Sequence, residues 1–337
     1  MTPRRRFTGR LLTGVYAVSL TSLTVLTVLT ACATDGDGHS GTSGTDAADT
    51  ITFDYAGRQV EIPADPQRVV CIETRLCPEF AEITGLNLVA TPEITAESAE
   101  DNVVNDDLPD SVTRYPFDTT APDAEVVADM EPDLIITTAA WFDTYDSEQQ
   151  ERLEGIAPVL GLDGDLTSES EAEGAENSDA WLQPLLDQAE QMGRRDDAEQ
   201  SIADYHHVID EGRSTLSAYE GKTVAVVALQ DDQFVLEDEN LAPEVLTDLG
   251  LSLLTDSGSR EPDGSLRLYS KENLNILTEA DVILVQNPDS PVADDALWKR
   301  LPAVMDGKTP QLLYNHRAGY SKVGADFAEY VVEQLSA

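Results

Sequence analysis

Short apolar runs alternate with helix-length amphipathic segments along this chain, and that alternation restricts it to α/β architectures built on parallel sheets. The runs fall in two sets: Arg68–Ile72, Asn87–Thr91, Asp133–Thr138 and Pro158–Leu162, then Thr223–Leu229, Asp281–Gln286 and Gln311–Tyr314. Each reads as a strand buried on both faces, as strands covered by crossover helices are.

A long helical region, Ser178 to about Tyr219, separates the two sets, with a break predicted at Gly193. Beyond the break, apolar or small residues recur at Ala198, Ile202, Tyr205, Ile209, Gly212, Leu216 and Tyr219. Steps alternating four and three keep one helix face buried throughout. At 1.5 Å per residue, Arg195 to Tyr219 makes a helix of about 36 Å, long enough to brace two lobes. A faint repeat points the same way. Glu125 begins a phrase that runs through Pro132 and Asp133 into Leu134, Ile135 and Ile136; Glu272 begins one that runs through Ala280 and Asp281 into Val282, Ile283 and Leu284. The expected layout is an N-terminal α/β lobe at 50–177, a connecting helix at 178–220 and a C-terminal α/β lobe at 221–337.

The first 49 residues follow other rules. Arg4, Arg5, Arg6 and Arg10 precede an uncharged stretch, Leu11 to Ala31, which ends at Cys32. A basic region, an apolar region and a small-residue cleavage site make an export signal of residues 1–31. The run also resembles the bacterial lipobox, which implies lipidation at Cys32. Sec and twin-arginine export both stay open. From 32 to 49 the chain is mostly Gly, Ser, Thr, Asp and Ala, too polar to bury a core, and reads as a flexible tether. Export and a lipid would place the domain on the outer face of the cytoplasmic membrane.

Net charge is −43, and the leader contributes four arginines and no acid, so the remainder is more acidic still. Nucleic acid is thereby excluded as a partner, since phosphate contacts need clustered Lys and Arg. Cys71 and Cys77, in an exported chain, fit either a small loop-closing disulfide or two buried thiols.

The chain resembles the periplasmic-binding-protein family that serves ABC importers of siderophores, haem and cobalamin. The resemblance rests on Pro63, Pro66, Arg68, Val69 and Val70, on Pro122 to Ile136, on Ile156, Ala157 and Pro158, and on Tyr269 to Leu274 before Asp281. It implies two Rossmann-like lobes joined by a single long helix, the class III substrate-binding arrangement, acting as a monomer with a permease dimer and its ATPase. It further implies that Glu125 and Glu272 dock into arginine pockets of the permease. Carboxylates on matching lobe surfaces suit that role, because each can meet an arginine fork bidentately.

Ligands of open α/β sheets bind outside the carboxyl ends of the strands. That rule selects Arg75, Arg114, Trp141 and Tyr145 in the first lobe, and Phe234, Arg267, Tyr269, Arg317 and Tyr320 in the second. Arginine forks and flat aromatic walls suit a ferric siderophore, which is bulky and often anionic. Haem, through Tyr320, Tyr269 or His316, and a corrinoid stay open as alternatives. No direct metal site and no cofactor are expected, because the four histidines are poorly placed to converge. A secreted α/β enzyme is the competing class. The sequence has no Gly-x-Ser-x-Gly elbow, no Gly-rich phosphate loop and no His-Glu-x-x-His pair, which argues for binding rather than catalysis.

Overall fold

A computed structural model describes residues 49–93, 108–117, 122–164, 179–238, 241–256 and 267–336, and residues 47–337 form one compact unit. The leader, Cys32 and nearly all of the tether lie outside the described residues.

The chain begins with a hairpin, β1 (Thr50–Tyr55) and β2 (Arg58–Pro63), closed by Ala56 and Gly57 at φ 45° and 74°. Two consecutive positive φ values give the turn the twist that a two-residue hairpin needs. Phe53, Tyr55 and Ile62 face inward from it.

The first sheet has the order β5-β4-β3-β6-β7 and every pairing in it is parallel. Its strands are β3 (Val69–Cys71), β4 (Leu88–Glu93), β5 (Thr113–Pro116), β6 (Leu134–Thr138) and β7 (Val159–Leu162). All five carboxyl ends therefore lie along one edge. Helices α1 (Leu76–Ile83), α2 (Ala124–Asp129), α3 (Ala139–Thr144) and α4 (Ser147–Glu154) connect them. Asp123, Thr138 and Asp146 cap the last three by accepting first-turn N–H groups, as short N-cap side chains do.

The second sheet is mixed. Its central strand β8 (Thr223–Leu229) pairs in parallel with β10 (Ser252–Leu253) and β12 (Val282–Gln286) and antiparallel with β9 (Gln233–Glu237), which carries β11 (Tyr269–Ser270). The strand expected at Gln311–Tyr314 reduces to one bridge, Val285 to Gln311, followed by a 3-10 turn at Tyr314–Arg317. Pro310 has no N–H to give the ladder, so the pairing rests on the carbonyls of Lys308 and Pro310 and on the Leu312 N–H.

Between the sheets run α5 (Gln183–Gln191), a turn at Gly193 with φ 67°, and α6 (Arg195–Thr215). The 21 residues of α6 span about 31 Å. Its buried face is Ala198, Ile202, Tyr205, Ile209 and Gly212, and Leu216 follows in the same core. Continuation to Tyr219 is a separate 3-10 turn at Ser217–Tyr219 rather than more of the same helix. Helices α7 (Leu241–Asp248), α8 (Pro302–Met305) and α9 (Ser321–Ser336) complete the set, and α9 packs along α6 and against α7 and α1. Two lobes of α/β structure joined through one long helix are the result.

No helix among the described residues is long and apolar enough to cross a membrane.

Candidate functional site

The carboxyl edge of the first sheet carries Arg75 and Trp141 of the first-lobe candidates. Where β3 ends, Glu73 turns inward, is almost fully buried, and accepts the N–H groups of Arg75, at 2.9 Å, and Cys77. Burial raises its carboxyl pKa, and those N–H groups together with the Arg75 charge oppose the rise. Arg75, half-buried, occupies the N-cap of α1. Cys71 and Cys77 bracket this turn as a disulfide, with Cα atoms 5.7 Å apart. The pair that spacing left open is thus bonded.

Arg114 lies on β5, half-buried, and its guanidinium donates to the carbonyls of Val112 at 3.0 Å and Leu108 at 3.1 Å. Backbone acceptors therefore fix the fork before any ligand arrives. Phe117 follows β5 and Trp141 sits in α3 after β6. Their strands stand three positions apart in the sheet, yet the rings meet at 5.5 Å between centroids, tilted by 38°. Both are half-buried, so they form an aromatic shelf above the carboxyl edge. Tyr145 is buried, edge-on to Phe142 at 6.1 Å, and belongs to the packing beneath.

In the second lobe Phe234 is fully buried and stacks on Tyr269, 5.3 Å between centroids and 20° between planes. The Tyr269 hydroxyl donates to Asp256 at 2.7 Å; burial and that carboxylate push its pKa up to about 12. Arg267 is half-buried beside exposed Leu268. Arg317 lies 2.8 Å from the buried carboxylate of Glu237. Tyr320 is fully buried, its hydroxyl donating to the Asp163 carbonyl at 2.7 Å and its ring 6.4 Å from Phe80. It is a core residue between the lobes. His316 is buried against Phe327 and Tyr330, with Nε2 3.4 Å from Asp326. The three residues named as haem ligands are thus enclosed or already hydrogen-bonded. Among the described residues no group of three His, Cys, Asp or Glu is placed to hold a metal ion.

Glu125 and Glu272 are both exposed, and each is the second residue of its helical segment, α2 and the 3-10 stretch Lys271–Glu279. Asp123 caps the first of these and accepts the Glu125 N–H at 2.9 Å, which leaves the Glu125 carboxylate out of the cap.

Two concavities lie away from the carboxyl edge: about 450 Å³ between the hairpin and the start of β7, and about 390 Å³ between α1, α6 and α9. Neither holds a residue that the strand-end rule selects. Sequence reasoning missed Glu79, Asp163 and Gln188, which meet Tyr320 and the start of α9. Their separations in sequence, 132 to 241 residues, leave no local signal.

Comparison with known proteins agrees with this architecture. The Fe(3+)-citrate-binding protein YfmC of Bacillus subtilis (strain 168) is 24% identical over 253 residues, 73% of each chain. The FhuD fold-family periplasmic binding protein component of a Fep/Fec-like ferrichrome ABC transporter from Bacillus subtilis superposes with a TM-score of 0.65 at 20% identity, covering 84% of this chain and 99% of that one. Staphylococcus aureus SirA complexed with staphyloferrin B gives 0.62 at 19% identity, covering 84% and 98%. The periplasmic binding protein family matches residues 80–309, from α1 of the first lobe through both sheets, and this chain belongs to that family of solute-binding proteins.

Proposed function

We propose that this chain is an exported, lipid-anchored solute-binding protein that captures a ferric siderophore between its lobes and hands it to an ABC importer. The observation that carries the ligand class is the shelf of Phe117 on Trp141 at the carboxyl edge, where Arg75 also lies, with the pinned guanidinium of Arg114 three residues before Phe117 in β5. An aromatic wall at the carboxyl edge, in a lobe that also offers guanidinium groups, suits a bulky, anionic chelate with an apolar rim. Relatives named for ferric citrate, ferrichrome transport and staphyloferrin B support the same class.

In this reading residues 50–177 and 221–337 are the lobes, 178–220 connects them, and lipid on Cys32 keeps a monomer near its permease. Glu125 and Glu272 are the docking carboxylates, one per lobe. Their exposure in matching helical first turns supports the role, because each can reach a permease arginine without breaking a fold contact.

The test is intrinsic tryptophan fluorescence of residues 47–337, titrated with ferric hydroxamate, ferric catecholate and ferric citrate complexes, haem and cobalamin. Trp141 is half-buried on the shelf, whereas Trp181 and Trp298 are buried elsewhere. Saturable quenching by a ferric chelate, weakened by Arg114→Ala, is the expected result. Tight binding of haem or cobalamin alone would overturn the ligand class, and no binding by any of the set would overturn the reading.

A further inference from the structure

Glu79 belongs to α1 of the first lobe, but its carboxylate serves a helix on the other side of the seam. One oxygen accepts the N–H of Tyr320 at 2.6 Å; the other accepts those of Val323 at 2.9 Å and Lys322 at 3.0 Å. These amides open α9 and have no partner within their own helix. The Glu79 side chain is fully buried. Gly319 admits it: a Cβ there would lie 2.9 Å from the Glu79 oxygen and 2.6 Å from Val323. A second tie runs beside the first. Tyr320 donates to the Asp163 carbonyl, Gln188 donates to the same oxygen at 2.7 Å, and Gly164 lies against the Tyr320 ring where a Cβ would come within 2.8 Å. The contacts of α9 with α6 and α7 carry this seam into the second lobe.

We propose that Glu79 is a positioning residue that sets the angle between the lobes through its hold on the start of α9, and that its protonation state governs how firmly the seam is packed. Lys322 on α9 faces it, in an ion pair with Glu82 of α1, and Tyr320 lies beside it; Glu73 before α1 and Asp163 after β7 act in turn on the Tyr320 hydroxyl. Across the neighbouring concavity α6 presents Asp197 and Asp204. In the packed seam, burial pushes the Glu79 carboxyl up to about 7 from the ordinary 4.5, against the pull of the three N–H groups and of Lys322. A parted seam returns the carboxyl to water and to the ordinary range. The packed form therefore binds the proton more tightly, and rising pH favours parting.

Hydrogen exchange on the full, ligand-free chain tests this without reference to any solute, so its failure would leave the proposed function standing. Protection is read as the ratio of intrinsic to observed rate, for a peptide covering 318–326 against a reference in β12. Between about pH 6 and about pH 8.5, linkage predicts that the seam peptide loses protection about tenfold relative to the reference. Glu79→Gln abolishes that difference. Lys322→Ala, which removes the nearest opposing charge, moves its midpoint to higher pH. A wild-type seam that tracks the reference at every pH would refute the proposal, as would an unchanged pH response in Glu79→Gln. The wild-type profile decides the matter even if a variant folds poorly.

Discussion

Breaking the Cys71–Cys77 disulfide tests whether the turn at the exit of β3 is held by covalent closure or by packing alone. The bond joins residues six apart in sequence, and closing so short a loop in the unfolded chain is worth about 2 kcal/mol. Both cysteines are fully buried, so in Cys71→Ala/Cys77→Ala the folded state adds a small void to that loss. The expected change is about 2–4 kcal/mol in urea unfolding with the slope unaltered, or a fall of roughly 4–8 °C in Tm for each 2 kcal/mol lost. The effect should also reach the site. Glu73 and Arg75 lie inside the bracketed segment, and the Tyr115 hydroxyl donates to the Cys71 carbonyl. Chelate affinity should therefore fall along with stability. Peptide mapping under non-reducing conditions gives the occupancy of the bond independently. An oxidised wild type no more stable than the double variant would refute the reasoning, because the loop would then be ordered by its contacts alone.

Three further outcomes follow from the geometry. Charge reversal at both docking positions, Glu125→Lys with Glu272→Lys, should abolish uptake in cells while chelate affinity stays within about twofold, since both side chains are exposed and outside the strand-end set. The raised pKa of Glu79 makes stability depend on pH: its contribution is fully present below about 4.5 and is lost as pH rises through about 7, about 3 kcal/mol in all. Denaturation of wild type and Glu79→Gln at about pH 5 and about pH 8 reads it as a difference of differences, and a larger wild-type advantage at the higher pH would contradict the sign. Gly164→Ala should cost about 2–5 kcal/mol, because φ is 147° and the new Cβ would meet Leu76 and Tyr320 at 2.8 Å; thermal melts should show no comparable loss for Gly155→Ala, whose nearest neighbour is at 3.2 Å.

The parts of this fold visible in the sequence are those whose burial is continuous. β6, β8 and β12 are buried at nearly every position, and the helix face from Ala198 to Gly212 repeats at the expected steps. The N-terminal hairpin also leaves a trace in the sequence: Thr50 to Tyr55 alternates polar with apolar residues, and Ala56-Gly57 then supplies the turn. β5, β10 and β11 are short strands at sheet edges, where propensity is weak and pairing partners decide. Among site residues, Arg75 follows β3 and Trp141 follows β6 at the carboxyl ends of neighbouring strands, whereas Arg114 lies within β5 and bonds back to Val112 and Leu108. Strand ends could not show that Phe234 and Tyr320 point into packing, since that depends on partners far along the chain. Tyr320 is the clearest case, its environment being set by Phe80, Asp163 and Gly164.

The same long-range partners bear on how an acidic protein would hold an anionic chelate. Parallel α/β sheets ordinarily present helix N-termini at their carboxyl edge, and those termini attract anions through unpaired N–H groups. Here two such termini are already filled from within: Glu73 accepts from the first turn of α1, and Glu79 from that of α9. Both carboxylates are buried, so an incoming anion would have to displace a covalently tethered competitor at either helix end. Recognition of negative charge then falls to guanidinium groups. Arg114 is held ready by two carbonyls, and Arg75 stands at the end of a turn closed by a disulfide. Arginine scarcity in a chain of net charge −43 sharpens the selection, because each fork in this lobe stands in a field that otherwise repels anions. Affinity for an anionic chelate should consequently weaken on Arg114→Lys, which keeps the charge but loses the fork, and weaken further on Arg114→Ala; an Arg114→Lys variant that binds as tightly as wild type would place charge rather than geometry in control.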